Sequence, residues 1–129
     1  METEAVIAIL NRCMTDWDLV GSEVLDYEIA GISDEERMRN VESLLQFVHE
    51  WVMIDKEVVA RARTVHGMGI DTFDALHLAC AERSVDIFLT TDDTLIKSVK
   101  KHANKITIRV KNPVQWFMEV TANGSEDAQ

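Results

Sequence analysis

A chain of 129 residues is the size of one domain and can bury its own core, and 47% hydrophobic residues fit a folded globular protein. The formal net charge of −10, from 13 Lys and Arg against 23 Asp and Glu, argues against a broad basic surface for nucleic acid. It leaves room for a local basic patch and for a carboxylate cluster that holds divalent metal.

No apolar run approaches the roughly 20 residues that cross a bilayer, and no secretory signal starts at Met1. Cys13 and Cys80 lack ligand spacing and sit on helical stripes as small hydrophobes. A reduced, cytoplasmic protein without membrane contact is expected.

Residues 2–14 are predicted as a helix with Ala5, Val6, Ile9, Leu10 and Cys13 along one side. Residues 17–20 read as a short strand or an extended connector. Ser22 reads as the N-cap of a helix over 23–30 closed by Gly31. Ser33 to Glu36 has capping-box spacing, which predicts a third helix running to about His49 that buries Val41, Leu44, Leu45 and Val48.

Residues 51–54 form a short apolar strand. Asp55 caps a helix from Lys56 to His66 that stops at Gly67-Met-Gly69. Thr72 or Asp71 caps the next helix, whose stripe of Phe73, Leu76, Ala79 and Cys80 is thickened by Ala75, Leu78 and Ala81 and ends at Ser84. The apolar run from Val85 to Leu89 has the look of a strand buried on both sheet faces. A helix over 94–102 turns Leu95, Ile96 and Val99 inward and Lys97, Lys100 and Lys101 outward. Residues 106–110 alternate as a strand, and Asn112 caps a last helix with Pro113 in its first turn. The domain is read as residues 1–121, and 122–129 as a polar, disordered tail.

Strands alternating with helices predict an α/β domain of three layers, α/β/α, around a parallel sheet. Three clear strands are read, at about 51–54, 87–91 and 106–110, which is thin for so many helices. Ligands of open parallel sheets bind at the carboxyl ends of strands, and Asp92 and Asp93 stand at such an end.

The runs Asp74-Ala-Leu-His-Leu-Ala79, Phe88-Leu-Thr-Thr-Asp92-Asp93 and Ile108-Arg-Val-Lys-Asn-Pro113 resemble the C-terminal half of PIN domains. That family includes the toxin ribonucleases of bacterial toxin–antitoxin pairs. Upstream, Ser22-Glu-Val-Leu-Asp-Tyr-Glu28 resembles the family helix in which a serine precedes a metal-site glutamate by six positions. The resemblance implies a metal-dependent endoribonuclease acting on single-stranded RNA. It places Glu28, Asp74 and Asp92 on three positions of a carboxylate cluster for Mg²⁺ or Mn²⁺, with Asp93 as a neighbour that assists. An RNA substrate and an antitoxin protein are the implied partners. A bound divalent ion takes hard oxygen ligands and lowers the pKa of an attacking water.

The family opens with a strand that ends in an aspartate and lies mid-sheet, whereas here Met1-Glu-Thr-Glu is already inside the first helix. The fold expected is therefore a PIN-like domain lacking its first central strand and that strand's aspartate. Two strand edges would then be unpaired. Three resolutions follow: the strands near 51–54 and 87–91 pair directly, a second copy makes a homodimer through the exposed edges, or the true start lies upstream. The alternative function is a catalytically inactive PIN-like binding or oligomerisation module.

Each site residue also has a plain structural reading. Asp74 suits the first turn of a helix, Asp92 suits an N-cap, and Glu28 suits a solvated helix surface. His77 is expected to be packed or hydrogen-bonded, because the spacing around it offers zinc too few ligands. Lys97, Lys100 and Lys101 could steer RNA, with a solvated helix face as their ordinary role. Trp51 and Trp116 read as core or interface residues.

Overall fold

A computed structural model of the chain describes residues 2–127. The chain opens on helix α1 (Glu2–Arg12), whose Ala5, Ile9 and Cys13 turn inward at helical spacing while Val6 faces solvent. Strand β1 follows at Leu19–Ser22, two residues later than the sequence predicts. Ser22 ends that strand and begins helix α2 (Glu23–Ala30), where its Oγ accepts from the Val24 N–H at 3.3 Å. It is the buried polar residue of the described core. Capping a free helix donor gives its hydroxyl the partner that burial demands.

Helix α3 (Glu35–Leu44) departs from expectation at both ends. Its N-cap is Asp34, not Ser33, and the Asp34 carboxylate accepts from the Glu36 and Arg37 N–H groups. It stops at Leu44, and a 3₁₀ turn (Leu45–Phe47) leads into strand β2 (Val48–Val52). Val41, Leu45 and Val48 are only half-buried, and Leu44 is exposed. The amphipathic period is present, but none of the residues of α3 is buried among the described residues. His49 is thus a strand residue, and its Nδ1 accepts from the Leu19 N–H at 3.0 Å.

Helix α4 (Lys56–His66) matches its sequence reading to the residue. Asp55 caps it through a 2.9 Å bond from the Val58 N–H, and Gly67 closes it. The chain then turns through Gly69 at φ 95°, a left-handed conformation that glycine adopts without a Cβ penalty. Helix α5 (Thr72–Ser84) packs against α4 and touches both β1 and β3. Ala75, Leu78, Ala79, Cys80 and Ala81 are its buried residues, whereas Phe73 is 44% exposed and leaves the expected stripe. Asp71 holds the N-cap position without a side-chain capping bond.

Strand β3 (Ile87–Leu89) is half-buried throughout, not enclosed on both faces. Helix α6 (Asp93–Lys101) buries Leu95 and Val99. The strand expected at 106–110 is displaced to β4 (Arg109–Lys111). Helix α7 (Pro113–Asp127) is capped by the Asn112 side chain, which accepts from the Val114 N–H at 2.8 Å. It continues beyond residue 121 into the segment read as a tail, while residues 128–129 lie outside the described residues.

The strands form two parallel pairs, β1 with β2 and β3 with β4. The strands near 51–54 and 87–91 therefore do not pair with each other, and β1 is the strand that the sequence reading did not count. One apolar cluster nevertheless joins the two pairs. It runs from Val24, Val52, Val58 and Val65 through Leu78 to Leu95, Ile106 and Val110. The class is α/β, as the alternation of elements predicts.

A clamp fixes α4, α5 and the approach to β4. Arg61 grips Glu82 through Nε at 2.8 Å and donates to the Lys105 carbonyl at 2.6 Å. Glu82 also accepts from the Thr107 N–H and hydroxyl.

Candidate carboxylate site

The acidic residues come from three places in the fold. Glu28 lies late in α2, after β1; Asp74 lies in the first turn of α5; Asp92 lies in the turn between β3 and α6. Asp74 and Asp92 stand at helix starts, where backbone N–H groups are free, whereas Glu28 is in the last turn of α2.

Asp74 is half-buried and registers the others electrostatically. Burial pushes its carboxyl above the ordinary carboxylate range, the Asp92 and Asp71 charges push it further, and Glu28 adds to them. His77 pulls in the opposite direction. A carboxyl disfavoured as an anion by three neighbouring carboxylates marks a place where negative charge has been concentrated.

Asp92 performs the structural role its position suggests. Its Oδ1 accepts from the Thr94 N–H at 3.0 Å and the Leu95 N–H at 3.2 Å, capping α6. Thr90 Oγ1 accepts from the Asp92 N–H at 3.1 Å and so braces the turn. Both capping bonds use one oxygen, and a carboxylate has a second with its own lone pairs. Capping and ligand binding are therefore compatible on this side chain.

Glu28 is engaged differently, since its Oε1 meets His77 Nε2 in a hydrogen bond. The His77 ring is held in turn by Phe88 of β3, at 6.1 Å between ring centroids and a 46° tilt. His77 is thus hydrogen-bonded and packed, as its position one turn after Asp74 suggests. It ties α2 to α5 and β3.

Asp93 begins α6 and is exposed, and it is not among the groups that shift Asp74. Lys97, Lys100 and Lys101 are exposed on α6. Lys100 lies about 12 Å of helix from Asp92 at 1.5 Å per residue. Asp71 joins the carboxylates, a role that reading it only as a cap overlooked. The signal was its place one turn before Asp74 at a helix start.

The donors match a hard divalent cation in kind, since all are carboxylate oxygens. Their placement does not match it. Among the described residues, no group of three or more His, Cys, Asp or Glu side chains stands in an arrangement that could hold a metal ion. Cys80, near Ser22, is no substitute, because burial pushes its thiol pKa up and keeps it from the thiolate form that binds metal.

Trp116 packs on Trp17 at 4.8 Å between centroids, and the Arg12 guanidinium lies 4.1 Å over the Trp17 ring. Trp17 thus links Arg12 at the end of α1 to Trp116 of α7. No helix of the described residues is long and apolar enough to cross a membrane.

A family model for the PIN domain matches residues 5–101, a span that contains Glu28, Asp74 and Asp92. No curated protein and no solved structure matches the chain significantly. PIN domains are generally metal-dependent nucleases that use ions such as Mg²⁺ or Mn²⁺, and they are α/β in fold. With the family match covering most of its length, the chain belongs to the PIN-domain family.

Proposed function

We propose that the protein is an endoribonuclease acting on single-stranded RNA, with Glu28, Asp74 and Asp92 as its working carboxylates. The observation that carries this reading is the PIN-domain match over residues 5–101, within which burial and the Asp92 and Glu28 carboxylates raise the Asp74 pKa. Like charges are not gathered without cost, and a cation is the ordinary means of offsetting that cost. In this reading Asp92 keeps one oxygen on the helix cap and offers the other to the site. His77 holds Glu28 in place, and Thr90 keeps the Asp92 turn from opening. Asp93 assists from the start of α6. Lys97, Lys100 and Lys101 steer phosphate toward the site from outside, a contribution that salt would weaken.

A toxin role in the cytoplasm, with an antitoxin protein as partner, extends the same reading by family analogy. A homodimer would form by pairing strand edges between copies, since β1 and β3 each have one hydrogen-bonded neighbour.

A second reading is favoured by a different observation. Glu28 is bonded to His77, and no three donors close around a common point among the described residues. That is the state expected of a PIN-type module that binds or oligomerises without cleaving.

Cleavage of a labelled single-stranded RNA with Mn²⁺ separates the two readings when run beside an EDTA control and Asp74→Asn. The nuclease reading expects cleavage that EDTA abolishes and that the substitution lowers by at least about 100-fold, the upper end of what even indirect partners of a metal cost. Intact RNA with the wild-type chain would favour the binding module. Cleavage that ignores the substitution would point to a contaminating ribonuclease.

A further inference from the structure

A cavity of about 490 Å³ opens where the start of α4, the end of α5 and the turn before β4 meet. Val58 and Ala79 form its apolar wall, and Glu57, Arg61, Glu82, Arg83, Lys105 and Thr107 supply the polar one. It lies toward the far end of α5 from Asp74, since Glu82 is about 12 Å further along the helix at 1.5 Å per residue.

The donors left over in this cavity are cationic. Glu82 already accepts from Arg61 Nε and Nη2 and from the Thr107 N–H and hydroxyl. Arg61 uses those two nitrogens on Glu82 and the Lys105 carbonyl, so its Nη1 has no partner among the described residues. Arg83 reaches Asp55 through Nη1, and its Nε and Nη2 have no partner there either. Lys105 makes no ion pair with any described residue. Of the nearby acids, Asp55 is held by Arg83 and by capping α4, and Asp86 does not line the cavity. Glu57 does line it, is exposed, and has no described partner for its carboxylate.

We propose that this cavity binds a small phosphate monoester with a hydroxyl-bearing body, a sugar phosphate or a nucleoside monophosphate. The phosphate meets Lys105, Arg83 and Arg61, and a hydroxyl of the body donates to Glu57. Three cationic side chains offer more donors than a two-oxygen carboxylate can accept, whereas a phosphate has three terminal oxygens and charge to match. A bare anion would leave Glu57 as a repelling neighbour, and a ligand hydroxyl turns that carboxylate into an acceptor. Val58 and Ala79 have no side-chain polar group to satisfy and take the carbon face of the body. The volume falls within the range of about 300–1,000 Å³ usual for small-molecule sites. The inference does not rest on the nuclease reading, because none of these residues belongs to the carboxylate site.

The test is an NMR titration of the full, isotope-labelled chain in EDTA with ribose phosphate, adenosine monophosphate, inorganic phosphate and adenosine. At least one ester should saturate with a Kd of about 1 mM or below, and the tighter of the two identifies the body. Its binding should move the amide signals of Glu57, Arg83, Lys105 and Thr107 and leave those of Asp74 and Asp92 in place. Inorganic phosphate should bind at least about tenfold more weakly than that ester, and adenosine should not bind. Lys105→Ala should weaken the ester at least about tenfold, the loss expected of one charge-assisted bond. Glu57→Ala should narrow the gap between ester and phosphate. Both residues are exposed, so the variants should fold, which circular dichroism checks. No saturable binding of either ester, or signals that move only around Asp74 and α6, would overturn the proposal. So would phosphate or adenosine binding as tightly as the esters, or indifference to Lys105→Ala.

Discussion

Asp74 carries its electrostatic cost in its own titration. Its folded pKa is raised, so the stability it contributes is full at pH below the ordinary aspartate range and is lost as pH rises through the raised value. At neutral pH without metal the carboxylate is therefore a burden. Asp74→Asn should raise stability at pH 7 by less than about 1 kcal/mol, after discounting for its partial exposure, and the gain should vanish at low pH. Urea unfolding at pH 7 and at acid pH reads both. A loss of stability at pH 7 would mean that the carboxylate's interaction with the α5 N-terminus dominates.

Glu82 titrates in the opposite sense. Burial raises its pKa, but Arg61 and the Thr107 N–H and hydroxyl outweigh that and hold it below the ordinary glutamate range. The stability from this clamp is present above the ordinary value and lost as pH falls through the lowered one. Glu82→Ala would strand the partly buried Arg61. It should cost about 2–3 kcal/mol, less than a fully buried pair because the Arg61 side chain is 32% exposed.

Asp92 allows its two roles to be separated by one substitution. Asparagine is as good an N-cap as aspartate, so Asp92→Asn should leave unfolding stability within about 0.5 kcal/mol while removing a charge from the site. Unchanged stability with weakened metal binding would divide cap from ligand.

Among the elements, tightness varies along the sheet. Gly21 of β1 faces Trp51 of β2, and a Cβ there would lie 2.7 and 2.8 Å from the indole ring. Gly21→Ala should therefore cost about 1–3 kcal/mol, as overpacking does, with Trp51 fluorescence reporting the displaced ring. A neutral result would mean the indole swings aside freely.

The elements also show what was legible in the sequence. Helix α4 could be read to the residue because its signals are local, with Asp55 capping one end and Gly67 closing the other. The end of α3 could not, because Val48-His-Glu-Trp-Val follows an amphipathic run without a breaker, and only pairing with β1 makes it a strand. Phe73 fits the apolar period of α5 yet faces an open groove, since period states that a face exists and not that anything covers it. In the carboxylate site, Asp74 and Asp92 stood out through their local motifs. The Glu28–His77 bond spans 49 positions, and no local pattern encodes it.

On the scale of the whole molecule, two parallel strand pairs share one core, helix α5 bridges them, and acidic residues collect where α5 and the β3–α6 turn emerge. PIN domains generally use divalent cations, and the proposed nuclease function requires that the carboxylates around Asp74 hold one. Among the described residues, no three carboxylate, histidine or cysteine donors stand around one point. Binding of the ion is thus the step on which the functional account depends. Calorimetric titration of the full chain with Mn²⁺, beside Asp74→Asn and Asp92→Asn, tests it most directly. One saturable site is expected in the wild-type chain, weakened at least about tenfold in each variant. No saturable heat in the wild-type chain, or the same affinity in all three proteins, would contradict it.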